Sequence, residues 1–369
     1  MGKIGETTLE IDLNALAHNY RYLKSKIAPK TKFLAVIKAF AYGSDMVNIA
    51  KKLESLSVDY FAVAYVKEGV LLRDAGIKSP ILVLHPQPIN FDELIDRCLE
   101  PSLYSPNILR QFLEVAKRKK QTDYPVHIKF NTGLNRLGFW EDDIDFIMEQ
   151  LKDSNELKVV SFFSHLAASE DLKERPFSEN QINTFKKISM AFAQKLGYAP
   201  IRHMLNTSGI LNYPEAQFEM VRSGIGLYGY GNNKNIDAEL RPIATLKTII
   251  SQIHFIEPHE SVGYNRAYIS KEKRTTATLP LGHADGIGRQ YGNGKAHVLI
   301  HGKKAPIIGN VCMDMIMVDI TGIDCKEGDE VLVFGVQKSA EAFAAVANTI
   351  SYEILTAISQ RVKRVVLSD

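Results

Sequence analysis

KFLAVIKAFAYG, residues 32 to 43, contains five consecutive apolar residues, Phe33 to Ile37, and closes on Lys38. A continuous apolar run of this length with β-branched members reads as a strand covered on both faces, the kind found in parallel sheets. Seven similar runs follow: DYFAVAY from 59, PILVLH from 80, EPSLYS from 100, PVHIKF from 125, KVVSFFSH from 158, IRHML from 201 and FEMVRSG from 218. Segments of helical period lie around them, including LNALAHNYRYLKSKI at 13 to 27, a stretch from Pro106, and SENQINTFKKISMAFAQKL at 178 to 196. Eight strand-helix units in about 200 residues predict an α/β fold, a (β/α)8 TIM barrel. The fourth run is weak and is placed partly by spacing.

Beyond about residue 240 the rhythm changes to short strands without helices between them: TLKTIISQIHFI, TTATLPLG, KAHVLIHG, MIMVDI and DEVLVFG. The reading is therefore a barrel domain over 1–238 followed by a mostly β C-terminal domain over 239–369. The opening TTLEIDL, about residues 7 to 13, is a strand that suits the β domain if the chain returns across it. A helical pattern, SAEAFAAVANTISYEILTAIS, is expected to close the chain.

Composition narrows the function. Of 369 residues, 45% are apolar and 24% charged, enough to bury a large core without disulfides. The net charge of +3 is spread along the chain and offers no footprint for nucleic acid or an anionic membrane. Lys117 to Lys120, the densest basic run, suits the carbonyl end of a helix. No apolar run is long enough to span a bilayer, and the polar start MGKIGETT lacks the apolar segment of a secretory signal. Cys98, Cys312 and Cys325 are odd in number and lack metal-ligand spacing, so the expectation is a cytoplasmic protein with no metal and no disulfide.

In a barrel of this kind the chemistry sits at the C-terminal ends of the strands. The first strand ends in Lys38; the fifth runs through Lys129 toward Asn131 and Arg136; the sixth ends in His165. The seventh leads to Asn206, Thr207 and Ser208, and the eighth to Arg222 and Gly224. Loops after strands seven and eight commonly bind phosphate, and NTSG and GIG offer hydroxyls and backbone N–H groups for it. A lysine closing an apolar strand has its charged form disfavoured, which suits a Schiff-base nucleophile; alone, a strand-end lysine reaching solvent explains it as well.

Two patterns are set aside. GIGLYG at 224 to 229 matches a dinucleotide fingerprint but comes late, is followed by Tyr-Gly-Asn-Asn rather than a helix, and lacks the downstream acidic residue. His297 and His301 have a spacing that aligns metal ligands only on a helix, whereas AHVLIHG reads as strand.

AVIKAFAYG resembles the cofactor-attachment motif V-K-A-N-A-Y-G of the alanine racemases, barrel-type enzymes dependent on pyridoxal 5′-phosphate (PLP). HIKFNTGLNRLGF, SHLAASED, HMLNTSG, VRSGIGLYG, VGYNRAY, GHADGIGR, GNVCMDM and SYEILTAISQRVKR resemble the family's further blocks, in order and along almost the whole chain. The resemblance implies that Lys38 carries PLP as a Schiff base and that Tyr264 is the second catalytic base. It implies cofactor contacts from Tyr42, His165, Asn206, Thr207, Arg222, Gly224, Ile225 and Tyr352, with His165 against the ring and Arg222 facing the pyridine nitrogen. It places Arg136 and the Met313 N–H on the substrate carboxylate, Lys129 as a residue open to carbamylation, and Asp314 as an ordering residue. Three positions depart from the family pattern. Phe40 stands for Asn, Thr207 for Ser, and His283 for the tyrosine that lines the site's mouth, so His283 bears on substrate preference.

The activity implied is two-base racemisation of L- and D-alanine, supplying D-alanine for peptidoglycan, in a homodimer whose sites are shared between subunits. Racemisation of serine or another small amino acid remains open, as does a non-catalytic PLP carrier, which would lack the β domain. A barrel-type PLP decarboxylase is the nearest rival enzyme; it would place a carboxylate, not Arg222, at the pyridine nitrogen.

Overall fold

The computed structural model describes residues 6–152, 154–231 and 238–368. The chain forms two compact units. One comprises Ala17–Ala41 and Met46–Leu240; the other takes the chain up to Leu16, the short piece Tyr42–Asp45, and everything from Arg241 onward. After the first strand, β1 (Thr8–Asp12), eight parallel strands close the barrel: β2 (Lys32–Val36), β3 (Tyr60–Val63), β4 (Ile81–Val83), β5 (Glu100–Leu103), β6 (Tyr124–Lys129), β7 (Leu157–Phe163), β8 (Ile201–His203) and β9 (Met220–Ser223). All eight runs read from the sequence are present, the weak fourth as β5, and β9 pairs with β2 to complete the ring.

Side chains two apart on a strand share a face, so each barrel strand alternates between the axis and the surrounding helices. Leu34, Tyr60, Ala62, Leu82, Phe163 and Met220 fill the axis as one cluster. Outside, Phe162 packs against Phe130, Phe185 and Phe192 at ring separations of 5.3 to 6.3 Å. Burying one such ring stabilises the unit by ~2–3 kcal/mol. Continuing the inward alternation two residues past Val36, His127 and Phe163 reaches Lys38, Lys129 and His165. These inward-facing rows thus end in polar groups at one mouth.

The second unit is built on a nine-stranded sheet. Its later strands are β10 (Ala244–Ile249), β11 (Gln252–Ile256), β12 (Ser261–Val262), β13 (Tyr268–Ile269), β14 (Arg274–Leu279), β15 (His297–Ile300), β16 (Lys303–Ile308), β17 (Ile316–Asp319), β18 (Glu330–Phe334) and β19 (Lys363–Leu367). The sheet order is β11-β14-β17-β16-β15-β18-β10-β1-β19, with β12 and β13 as a separate hairpin. β1 lies between antiparallel β10 and parallel β19. The expected closing helix is replaced by two short ones, Ala340–Ala345 and Ser351–Ala357, followed by β19. Asn348 at φ 54° breaks the helical path, and KRVVL continues into a strand because β1 offers it a free edge.

Candidate active site

From Ala39 to Tyr42 the backbone makes a left-handed turn, with φ at 54° for four consecutive non-glycine residues. For L-residues this conformation costs ~1–2 kcal/mol each, so the segment holds several kcal/mol of strain that neighbouring contacts must offset. Glu68 is one of them. Its Oε1 accepts the Ala39 N–H at 2.5 Å, while Oε2 accepts the N–H groups of Ala64 at 2.7 Å and Tyr65 at 3.2 Å. One carboxylate therefore ties the turn after β2 to the end of β3. Gly43 follows at φ 77°, where a Cβ would stand 2.0 Å from the Leu355 carbonyl oxygen. Any larger residue there would have to displace backbone.

The turn holds Lys38 in a half-buried position at the barrel mouth. Burial lowers the pKa of its amine, Arg136 lowers it further, and Glu68 acts against both. Lys129, at the end of β6, is buried and its pKa is pushed down to about 8 by desolvation and then by Arg136, Arg222 and Lys38. Arg136 projects from a tight loop after β6. There Asn131 Oδ1 accepts the N–H groups of Gly133 and Asn135, and Gly138, at φ 133°, lets the loop return to a bridge between Phe130 and Phe139.

Arg222 is 4% exposed. It donates to His203 Nδ1 at 2.6 Å, His165 Nδ1 at 3.0 Å, and the carbonyls of Ser164 at 2.7 Å and Met204 at 2.9 Å. Because a guanidinium only donates, the His165 Nδ1 must be an acceptor, which makes the ring neutral. Its pKa is accordingly held well below the usual histidine value, by burial first and then by Arg222, Arg136, Lys129 and Lys38. Four cations thus converge on one imidazole. A site of this make-up suits an anionic ligand, and an amine whose charged form is disfavoured can capture an aldehyde.

The loops after β8 and β9 are tied to each other. Asn206 caps the helix Thr207–Asn212 through Gly209 N and accepts from Ser169 Oγ; Thr207 Oγ1 meets Ser223 Oγ at 2.9 Å and accepts the Gly226 N–H at 3.2 Å. Gly224 and Ile225 begin the following single turn. In this structure the Thr207 hydroxyl joins the two loops, a task the sequence does not disclose.

In the sheet unit the other residues of interest form two groups. Tyr42 and Tyr352 pack ring to ring at 5.9 Å, and burial raises the pKa of the Tyr42 phenol. Tyr264, 70% exposed, follows Gly263 and lines a cavity of about 540 Å³ with Met313, Asp314, Met315 and Met317. His283 donates its backbone N–H to the Cys312 carbonyl and Ala284 to that of Met313. This approach requires Gly282, whose Cβ would stand 2.3 Å from the Cys312 oxygen. Asp314 is held by Arg361 Nη2 at 2.6 Å, and the same guanidinium pairs with Asp285 at 2.7 and 3.0 Å. Arg361, Asp285 and Glu68 were not singled out from the sequence. The first two lie inside quoted blocks, QRVKR and GHADG, but their pairing spans 76 residues.

Residues 11–232 match the family described as alanine racemase, N-terminal domain, and residues 243–366 match alanine racemase, C-terminal domain. The chain is 36% identical over 367 residues to an alanine racemase of Thermodesulfovibrio yellowstonii, covering 96% of each chain. Among solved structures, an alanine racemase of Clostridium difficile 630 superposes with a TM-score of 0.92 at 36% identity, over 99% of this chain and 96% of that one. An alanine racemase of Bartonella henselae with covalently bound pyridoxal phosphate superposes with a TM-score of 0.88 at 29% identity, over 99% and 100% of the two chains. The converging cations, the buried amine on a strand end and the full-length match agree: this chain belongs to the alanine racemase family.

Proposed function

We propose that the chain is a PLP-dependent alanine racemase that interconverts L- and D-alanine and supplies D-alanine for peptidoglycan. The observation that carries this reading is Lys38: an amine at the barrel mouth, its pKa lowered by burial and by Arg136, at the end of an inward-facing strand. When bound, PLP acidifies the α-carbon of the amino acid it holds by drawing electrons into its ring. Lys38 attaches the cofactor and, once released, exchanges a proton at Nζ on one face of the α-carbon. Tyr264 exchanges it at Oη on the other.

Asn206, Thr207, Gly224, Ile225, Tyr42 and Tyr352 are assigned to the phosphate, and His165 to the ring face. Arg222 is assigned to the pyridine nitrogen, to which it would donate a hydrogen bond without supplying a proton, because burial lowers its pKa only to about 9 and it stays charged at neutral pH. An unprotonated ring draws electrons less strongly, which disfavours decarboxylation and transamination. Arg136 and the Met313 N–H orient the substrate carboxylate; Asp314 and His283 order and shape the approach to it.

Incubating the protein with PLP and L-alanine in D2O, and following α-deuteration with optical rotation, tests the reaction. Exchange with inversion is the expected result; release of CO2, or no exchange, would overturn the assignment.

Lys129 is assigned a carbamate. With a pKa near 8, part of its amine is neutral at physiological pH and adds CO2 with loss of one proton, turning a cation beside Arg136 into a carboxylate that accepts from it. Crystals grown without CO2 are expected to lose the order of the Arg136 side chain, and an unmodified, ordered Lys129 at high resolution in air would count against the carbamate.

The active form is taken to be a homodimer in the cytoplasm. No helix among the described residues is long and apolar enough to cross a membrane. A catalytic tyrosine must be enclosed to work, yet Tyr264 is open in one copy and shares its cavity with exposed Met313 and Met315. That face suits a second copy of the chain.

A further inference from the structure

Arg222 is a buried cation whose four hydrogen-bond acceptors are all neutral: two imidazoles and two carbonyls. Such a charge is costly unless something compensates it. From its Nη1 a chain of hydrogen bonds crosses the barrel interior on five consecutive strands. His203 Nε2 meets Ser161 Oγ at 3.0 Å, Ser161 Oγ meets His127 Nδ1 at 2.5 Å, and His127 Nε2 meets Glu100 Oε2 at 2.7 Å. All five side chains are buried.

The donors and acceptors run one way. Arg222 can only donate, so His203 Nδ1 accepts and its proton sits on Nε2. That N–H donates to Ser161, whose hydroxyl can in turn donate to His127 Nδ1. His127 in turn keeps its proton on Nε2 and donates to Glu100. Glu100 also receives the Tyr60 hydroxyl. The rings cannot easily turn out of this arrangement: His203 stacks on Phe163 at 4.7 Å, and His127 stands edge-on to Tyr60 at 5.9 Å.

We propose that Glu100 is a positioning residue for Arg222: through His127, Ser161 and His203 it polarises the acceptor that holds the guanidinium and fixes its direction. Each bond in the chain polarises the next, so an anion four bonds away still strengthens the hold on Arg222. The role in catalysis rests on the reading that Arg222 meets the cofactor's ring nitrogen. Burial and the charge of Arg222 keep His203 far below its ordinary pKa, as a neutral acceptor requires.

The test uses holoenzyme labelled with 15N-histidine. Side-chain shifts are expected to show Nδ1 unprotonated and Nε2 protonated in both His127 and His203. Glu100→Gln keeps an oxygen that accepts from His127 but removes the charge; it should preserve both tautomers and lower kcat about fivefold with KM nearly unchanged. Ser161→Ala cuts the chain midway; it should shift the His203 Nε2 resonance and lower kcat by about tenfold or more. A role in stability alone would lower the melting temperature while leaving kcat and KM of the folded variants unchanged. A proton on Nδ1 of either histidine, or wild-type kcat in both variants, would overturn the proposal. If the tautomers are as described but Arg222→Lys leaves the cofactor's visible absorbance unchanged, the assignment of Arg222 to the ring nitrogen fails, and the role of Glu100 in catalysis with it.

Discussion

Replacing Lys38 by alanine is expected to abolish the long-wavelength absorbance of the lysine-bound cofactor and to reduce racemisation by about a thousandfold or more, since both attachment and one proton transfer depend on it. The fold should survive, because the left-handed turn after Lys38 is held by Glu68 through the Ala39 backbone and not through the lysine side chain. A neighbouring buried amine, Lys129, makes the test discriminating. If the alanine variant retains the absorbance after dialysis, and borohydride then fixes the cofactor to Lys129, the attachment site has been misassigned. Loss of absorbance with retained racemisation would remove Lys38 from the mechanism altogether.

The second large effect concerns Tyr264. Tyr264→Phe removes the hydroxyl while keeping the ring on the rim of the 540 Å³ cavity, and turnover should fall by about a thousandfold. Mixing this protein with Lys38→Ala, after verified subunit exchange, should restore activity. Half of randomly paired dimers contain one copy of each variant, and if sites are shared one of the two sites in such a dimer has both Lys38 and Tyr264. The mixture should therefore reach about a quarter of the wild-type rate. No recovery despite exchange would show that Tyr264 serves the barrel of its own chain.

Much of the barrel and several of the candidate residues are legible in the sequence because they lie on a single strand or its end. Lys38, Lys129 and His165 follow buried strands by the two-residue alternation, so reading the strands already points to them. Groups that act through partners far along the chain are silent. Glu68 lies 29 residues from Ala39, and Glu100 lies 27 from His127. No local periodicity marks either pair. The left-handed turn is hidden for a different reason: Ala39, Phe40, Ala41 and Tyr42 include no glycine, so residue preference argues against the conformation and only tertiary contacts impose it. The two C-terminal helices read as one because their apolar spacing continues across the break, while β19 depends on an edge supplied by β1.

That pairing of β1 has a consequence for synthesis of the chain. Thr8 lies between Lys247 and Lys363, so its neighbours do not exist until more than two hundred further residues have been made. At the pace of translation, the strand waits on the order of tens of seconds with both edges open. The barrel strands, by contrast, are complete once Ser223 has left the ribosome, long before β19 follows. The barrel can therefore fold co-translationally. The sheet cannot, and β1 is the segment a trigger-type chaperone would have most reason to shield.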